Sequence, residues 1–383
     1  MKSNKIRLGE QCVVTSSKRF HLSERITQGV PFYCSKEIIK KFNGEDVTEC
    51  DYISEDLYKK VSNEFGVPKE NDLLITTRGT IGIPYLYKRT DRFYFADGNL
   101  TWIKDFDSNL YSKFLYYWFQ SYEGRKKFEA LAKGTAQKAV PISGIKTLEI
   151  ELPSLKSQKR IADILSAYDD LIENNQKQIK LLEEAAQRLY KEWFVDLRFP
   201  GHENTKIVDG VPEGWSRTNI NEILTFHRGY DLTKNEIKAG RYPVVGSTTV
   251  IGYHNEFKIK GPGIVTGRSG SLGKYQFIWD NFWPHNTSLY ISDYKDHNIF
   301  FVYSLLQTVD FASLNNGGAI PTLNRNVLSN IEVIEPTDEL QEMFAKIAEP
   351  QYQKIRNLEK QNDRLKTARG LLLPKLMSGE VEV

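Results

Sequence analysis

The segment LPSLKSQKRIADILSAYDDLIENNQKQIKLLEEAAQRLYKEWFVDLRFPG (Leu152 to Gly201) contains the clearest pattern in the chain. One series of positions recurs every seven residues: Ile161, Tyr168, Asn175, Leu182 and Leu189. A second series lies between them: Ile164, Leu171, Gln178 and Ala185. Mostly apolar residues at this spacing are typical of a helix that packs along another helix. The pattern predicts helical structure from about residue 155 to residue 193.

The same order recurs 183 residues later in the chain. The equivalent positions there are Phe344, Gln351, Leu358, Leu365 and Leu372. Helical structure is therefore expected from about residue 338 to residue 373. Because proline disrupts a helix interior, Pro350 predicts a short helix to Glu349, a break, and a long limb ending before Pro374. Each long limb of about 25 residues would be roughly 40 Å long.

Two interpretations of these helical regions remain open. Each helix could pack only on its own domain, or the two could pair with each other. We favour pairing, because each apolar stripe extends past what a small domain could cover. Polar Asn175 and Gln361 would then help to fix one register. The residues expected at contacts between the helices or with other subunits are Ile161, Tyr168, Leu171, Ile172, Leu182, Leu189, Trp193, Phe194, Ile347, Ile355, Leu358, Leu365 and Leu372.

The chain contains two copies of one sequence pattern, one after the other. Leu8 to Pro31 aligns without a gap with Ile220 to Pro243, at a shift of 212 residues. The shift falls to 190 where Arg78 aligns with Arg268, so the first copy carries about twenty extra residues between Pro31 and Arg78. It falls further to 183 where Gly134 to Pro153 aligns with Gly317 to Pro336. Each copy has short β-rich runs and one short helix before its long helical region. The repeat predicts an α+β fold with two similar domains.

Composition excludes several classes of protein. The 383 residues are enough for two to three domains. Lys plus Arg number 52 against 49 Asp plus Glu, a net charge of +3, so any contact with nucleic acid must come from local basic patches. Three widely spaced cysteines favour a reducing compartment, and neither a signal peptide nor a membrane-spanning run is evident. We expect a soluble cytoplasmic protein.

No catalytic or metal site is expected from the motifs. The stretch GRSGSLGKY (Gly267 to Tyr275) has the wrong glycine spacing for a phosphate-binding loop, and Tyr275 replaces the magnesium-binding Ser or Thr. The six histidines do not show metal-ligand spacing. Motifs of common nucleases and amino-methyltransferases are also missing.

Basic, polar and aromatic residues near predicted strand ends are candidates for contacting DNA phosphates and bases. For any single one of them, an ordinary solvated or structural role is the more common case. The candidates in the first copy are Lys18, Arg19, Arg78, Thr80, Lys88, Arg89, Gln137 and Lys138. Those in the second copy are Arg228, Tyr230, His254, Arg268, Ser269, Ser271, Lys274, Asn324 and Arg325.

The chain resembles the specificity subunit of type I restriction-modification systems. The match is strongest in Leu152 to Gly201 with the following VPEGW (Val211 to Trp215), which is similar to the family's central conserved region. The C-terminal LLLPKLMSGEVEV is similar to the distal conserved region. The resemblance covers essentially all 383 residues.

The resemblance implies two target-recognition domains (1–152 and 200–336) in a pseudo-twofold arrangement, separated by an antiparallel coiled coil of conserved helical regions (153–199 and 337–383). Each domain would recognise one half of a split, asymmetric double-stranded DNA target. Two modification subunits, and restriction subunits with them, would bind this non-catalytic chain. S-adenosylmethionine, ATP and magnesium would be bound by those partners.

Two other functions are weighed against this one. The chain could be a self-sufficient DNA methyltransferase or nuclease with an unfamiliar core, which S-adenosylmethionine binding by the purified chain would support. It could also be a two-headed protein-binding scaffold, which salt-sensitive duplex binding would argue against.

If the helices set the distance between two half-sites, lengthening one should change that distance. We predict that inserting four residues near Gln176 lengthens the preferred gap by about one to two base pairs, since a helical turn rises 5.4 Å and base pairs are about 3.4 Å apart. Both half-sequences should stay the same. Mapping methylated adenines in the genome measures the gap, and an unchanged gap would contradict the prediction.

Overall fold

The computed structural model describes residues 4–134, 138–268, 273–309 and 331–383. The chain forms two compact units. Unit 1 comprises residues 1–177 and 359–383, and unit 2 comprises residues 178–358. Unit 1 is therefore completed by residues far away in the sequence, whereas unit 2 is one continuous segment.

Unit 1 combines three small sheets with short helices. Its strands are β1 (Asn4–Arg7), β2 (Val13–Thr15), β3 (Val30–Tyr33), β4 (Asp51–Ile53), β5 (Leu73–Thr76), β6 (Pro84–Leu86), β7 (Tyr94–Phe95), β8 (Leu100–Lys104) and β9 (Glu149–Leu152). Its short helices are α1 (Ser35–Asn43), α2 (Glu55–Glu64), α3 (Ser112–Gln120), α4 (Tyr122–Glu129) and α5 (Ile142–Lys146). The strand orders are β2-β8-β5-β6, β4-β3-β7 and β1-β9. A long helix, α6 (Leu155–Tyr190), begins in this unit.

Unit 2 has the same sheet topology. Its strands are β10 (Ile207–Val208), β11 (Val211–Pro212), β12 (Ser216–Asn219), β13 (Thr225–Arg228), β14 (Tyr242–Val245), β15 (Val250–His254), β16 (Gly263–Gly267), β17 (Tyr275–Ile278), β18 (Trp283–Pro284), β19 (Ser288–Asp293) and β20 (Glu332–Glu335). Its helices are α7 (Ile220–Ile223), α8 (Ile299–Thr308) and the long α9 (Asp338–Ser378), which ends in unit 1. The orders β13-β19-β16-β17, β15-β14-β18 and β12-β20 match those of unit 1, which confirms the predicted repeat.

The two copies differ where the sequence alignment predicts an insertion. In unit 1 helix α1 joins β3 to β4, and α2 follows β4. In unit 2 a short turn, residues 246–249, joins the equivalent strands β14 and β15. The extra residues of the first copy therefore form two helices beside an unchanged sheet.

Both long helices contribute to the hydrophobic cores. In unit 1, Ile161 and Leu165 of α6 and Leu373 and Leu376 of α9 pack with strand and α3 residues. The core of unit 2 buries side chains from the other halves of both helices: Ala186, Tyr190, Phe344 and Ile355. Burying such a side chain contributes about 1.5–3 kcal/mol. The helices are therefore structural parts of both units.

Within unit 1 the two helices pair antiparallel, as predicted. Asn175 Nδ2 donates to Gln361 Oε1 (3.2 Å) and to Asn362 Oδ1 (2.9 Å). Earlier in α6 and later in α9, Asp169 Oδ1 lies 3.1 Å from Arg369 Nε. Asn175 and Asn362 are almost fully buried, so this polar contact favours one register of the two helices.

The predicted contact residues occupy several environments. Ile161, Ile172, Ile355 and Leu358 are buried, as are Trp193 and Phe194 in the core of unit 2. Partly buried positions are Leu182 and Leu189 against the core of unit 2, Leu372 against that of unit 1, and Tyr168 and Leu365. Leu171 and Ile347, however, are 47% and 45% exposed, so they lie outside the buried seam, and contact with another subunit stays a prediction for both. An α-helix drifts relative to a strict seven-residue repeat, and Ile172 is buried instead of Leu171.

The predicted break at Pro350 is also wrong. Helix α9 continues through Pro350 and Pro374 for 41 residues, and α6 has 36. At 1.5 Å per residue these lengths are about 62 and 54 Å, longer than expected. An interior proline costs about 3 kcal/mol. Burial of Phe344, Ala348 and Tyr352 around it holds this part of α9 in the core of unit 2 and offsets that cost.

The contact between Asn175 and Asn362 is open to a double-mutant cycle. Asn175→Leu alone should lower the free energy of unfolding by about 1–3 kcal/mol, because it leaves the buried Asn362 amide unsatisfied. Asn362→Leu alone should lower it less, because Asn175 Nδ2 keeps its hydrogen bond to Gln361 Oε1. The double substitution should recover most of the loss, since two apolar side chains can then pack together. Denaturant unfolding measures all four proteins. Additive losses would contradict the pairing.

Candidate nucleic-acid interface

Antiparallel pairing places particular loops at one edge of each four-stranded sheet. In unit 1 the carboxyl ends of β2 and β5 lie beside the amino ends of β8 and β6. In unit 2 the carboxyl ends of β13 and β16 lie beside the amino ends of β19 and β17. We call this end of the strands, with the loops that leave from it, the loop edge of each unit. It brings together residues that are far apart in sequence, such as those that follow β2 and those that precede β8.

The loop edge of unit 1 carries Arg78 and Thr80, both exposed after β5, and Lys18 and Arg19, exposed after β2. The Lys18 N–H donates to the Tyr94 hydroxyl (2.9 Å), which fixes the backbone of that loop. Gly79 has a φ of 75°, so the turn after Arg78 needs a residue that tolerates the left-handed region. Both loops that carry these cations therefore have a constrained backbone.

Lys138 lies beside the same turn. Arg78 forms an isolated β-bridge with Ala139, the next residue after Lys138. The Val140 N–H donates to the Thr77 carbonyl (2.9 Å), which holds the two segments together. Lys138 is exposed there and adds a third source of positive charge to the loop edge of unit 1.

The loop edge of unit 2 repeats the arrangement around Arg268 and Arg228. Arg268 follows β16, and its N–H donates to the Thr287 carbonyl (3.2 Å). Arg228 ends β13, and its guanidinium lies 3.7 Å from Asp231. Lys274 is exposed directly before β17. Arg78 and Arg268 thus follow equivalent strands at the loop edges of the two units, in line with their alignment at a shift of 190 residues.

Tyr230 lies in a half-buried aromatic cluster behind this edge. Its hydroxyl is 2.9 Å from the Tyr290 hydroxyl, and burial with this hydrogen bond raises the pKa of Tyr290. Lys258 Nζ lies 4.8 Å from the centre of the Trp283 ring and 5.8 Å from that of Tyr230. Tyr230 therefore packs within this cluster and is only partly exposed.

Lys88 and Arg89 lie at the opposite edge of the unit 1 sheet, because they follow the carboxyl end of β6. Lys88 Nζ forms an ion pair with Glu173 of α6 (2.5 Å), and Glu173 also pairs with Lys177 (2.9 Å). Burial opposes the shift, but these two lysines lower the pKa of the Glu173 carboxyl. Lys88 thus joins the sheet to the long helix, and the structure separates both residues from Arg78.

The prediction that His254 contacts DNA is wrong for this structure. The side chain is only 5% exposed, and its ring packs edge-on against Trp283 at 5.3 Å. Its Nδ1 accepts a hydrogen bond from the Lys238 N–H (3.1 Å). Both contacts hold β15 in place, so His254 is a packing residue. Sequence alone placed it at a strand end without showing which face it occupies.

Five candidates lie outside the described residues: Gln137, Ser269, Ser271, Asn324 and Arg325. Within the described ranges, no group of three or more His, Cys, Asp or Glu residues could hold a metal ion. The same part of the chain contains no helix long and apolar enough to cross a membrane.

Sequence reasoning missed two serines that brace the loop edges. Ser35 Oγ donates to the Asn99 carbonyl (3.2 Å), and Ser247 Oγ donates to the Thr287 carbonyl (2.7 Å). The two residues are related by the same shift of 212 that aligns Pro31 with Pro243. Extending that ungapped alignment by four positions would have identified them.

Comparisons with known proteins agree with this architecture. Residues 3–184 and 212–367 match the family model described as "Type I restriction modification DNA specificity domain". The type I restriction enzyme MjaIX specificity subunit of Methanocaldococcus jannaschii is 28% identical over 302 residues, 71% of this chain and 69% of that protein. A putative type I specificity subunit of Mycoplasma genitalium is 26% identical over 82% of both chains.

A solved structure supports the fold. The crystal structure of a type I restriction-modification S subunit from M. genitalium aligns with a TM-score of 0.63 at 20% identity. The alignment covers 98% of this chain and 96% of that one. At this identity the likeness concerns the fold alone.

Proposed function

This chain belongs to the type I restriction modification DNA specificity family, and we propose that it recognises the two halves of a split DNA target through its two loop edges. The observation that carries the proposal is the repeated turn in which Arg78 follows β5 and Arg268 follows β16. Arginine there can donate to phosphates or bidentately to guanine. As a specificity subunit the chain is non-catalytic, and the alternative of a self-sufficient enzyme is not favoured.

The recognition segments would be residues 1–152 and 200–336, each with one loop edge. Differences between the loops support two unlike half-sites. The candidates at the edges are Lys18, Arg19, Arg78, Thr80 and Lys138, all exposed, for one half, and exposed Arg228 and Lys274 with half-buried Arg268 for the other. Gln137, Ser269, Ser271, Asn324 and Arg325 complete the proposed set.

We propose that the long helices set the gap between the half-sites and bind two modification subunits. Exposed apolar side chains on the helices, Leu171, Leu181 and Ile347, support such a role. Restriction subunits would join the complex. Those partners would bind S-adenosylmethionine, ATP and magnesium. The complex would function in the cytoplasm.

Single arginine substitutions test the proposal. Arg78→Ala should relax base preference in one half of the target, and Arg268→Ala in the other half only. A good bidentate contact discriminates by about 1–3 kcal/mol, so the preferred base should lose roughly tenfold or more of its advantage. If the arginine binds a phosphate instead, its replacement by alanine should make the slope of log K against log salt concentration shallower by about one.

The measurements are methylated-adenine mapping and salt-dependent binding of the complex with its modification subunits. Arg89→Ala is the matched control, because Arg89 is an exposed arginine at the opposite edge of the unit 1 sheet. If both edge variants behave like this control in motif and in salt dependence, the proposal fails.

A further inference from the structure

The turn between β14 and β15 is attached to the loop edge of unit 2. The Val245 carbonyl accepts from the His285 N–H (2.8 Å), and Ser247 Oγ donates to the Thr287 carbonyl (2.7 Å). Thr287 is also the residue whose carbonyl accepts from the Arg268 N–H. The hairpin and Arg268 are therefore held by one turn.

This hairpin exposes apolar side chains. Val250, Ile251 and Tyr253 are 40%, 50% and 56% exposed. Successive residues of a regular strand face opposite sides, yet Val250 and Ile251 are neighbours that both reach solvent. The register explains this, because Val245 pairs with Val250 while Val244 pairs with Gly252. Ile251 is the extra residue of a β-bulge, a feature that redirects a side chain.

The position of Ile251 depends on Gly246. A Cβ atom on Gly246 would lie 2.9 Å from Ile251 Cγ2, so any side chain there would displace the isoleucine. The Gly246 carbonyl also accepts from Gln276 Nε2 (3.0 Å), which ties the turn to β17. The apolar pair is thus presented on a well-anchored hairpin.

We propose that the β14–β15 hairpin is a base-recognition element in which Val250 and Ile251 contact thymine methyl groups in the major groove. The inference rests on the proposed function and assigns it a further contact. The cations Arg228, Arg268 and Lys274 of the same edge would attract the phosphate backbone, and the turn of the hairpin is hydrogen-bonded to the same Thr287 carbonyl as Arg268. The thymine methyl is the one apolar group on a base edge in that groove.

Unit 1 has a different element at the equivalent place. Ser35 makes the same kind of hydrogen bond as Ser247, but it begins helix α1 instead of a hairpin turn. The apolar pair is therefore a feature of unit 2. Thymine-methyl recognition through this position is expected in one half of the target only.

The test replaces thymine by deoxyuracil, which removes only the methyl group. With the target known from methylation mapping, duplexes carrying deoxyuracil in one half or the other are bound to the complex of the full chain with its modification subunits. Uracil in the unit 2 half should weaken binding about fourfold per methyl contact, since one buried methyl group contributes about 0.8 kcal/mol. The unit 2 half is the half that Arg268→Ala alters.

Substitutions then assign the effect to the hairpin. In the pair Val250→Ser and Ile251→Ser the penalty for uracil should disappear. In Ile207→Ser with Val208→Ser it should remain. These two exposed apolar residues of unit 2 belong to a different hairpin, in which β10 pairs with β11. That hairpin is tied to β12, where Arg217 donates to the Asp209 carbonyl (2.8 Å). Val250→Thr with Ile251→Thr keeps the β-branched shape and should reduce the penalty partly.

The outcomes separate this inference from the proposed function. Specific duplex binding without a uracil penalty in the wild type, a penalty that persists in the Val250 and Ile251 variants, or a unit 2 half made only of G·C pairs would overturn the inference and leave the proposed function intact. Absence of any specific duplex binding by the wild-type complex would overturn both.

Discussion

The antiparallel packing of two long helices is the constraint on which the rest of the structure depends. Neither unit is complete without both helices, because Leu373 and Leu376 of α9 enter the core of unit 1 and Tyr190 of α6 enters that of unit 2. A one-residue slip would expose these side chains and leave Asn175 and Asn362 without partners. The polar contact thus favours a single register at a modest cost in stability.

Much of the architecture could be predicted because it is encoded locally or by repetition. The seven-residue pattern revealed both helices, and the internal alignment revealed the duplicated sheets and the position of α1 and α2. The errors arose where distant contacts override local preference. Pro350 stays helical because its neighbours are buried in a core. Leu171 is exposed while the adjacent Ile172 is buried, because the actual helix departs from a strict seven-residue repeat.

The candidate site was predicted less well than the fold, for a physical reason. Arg78 and Arg268 could be found from equivalent turns, but the edge on which a loop lies depends on strand pairing across long stretches of sequence. Lys88 follows a strand just as Arg78 does, yet it lies at the opposite edge and pairs with Glu173. His254 ends a strand but faces Trp283. The bulge that exposes Ile251 has no clear sequence signal beyond Gly246.

In the proposed function, the repeated loop edge, with unlike elements around it, is what lets one fold recognise two different sequences. Replacing residues 200–336 with the equivalent segment of a relative of known target, while keeping α6 and α9, tests this account most directly. Methylated-adenine mapping of the hybrid should show one half of the motif changed and the other half retained. A change in both halves, or in neither, would contradict the account.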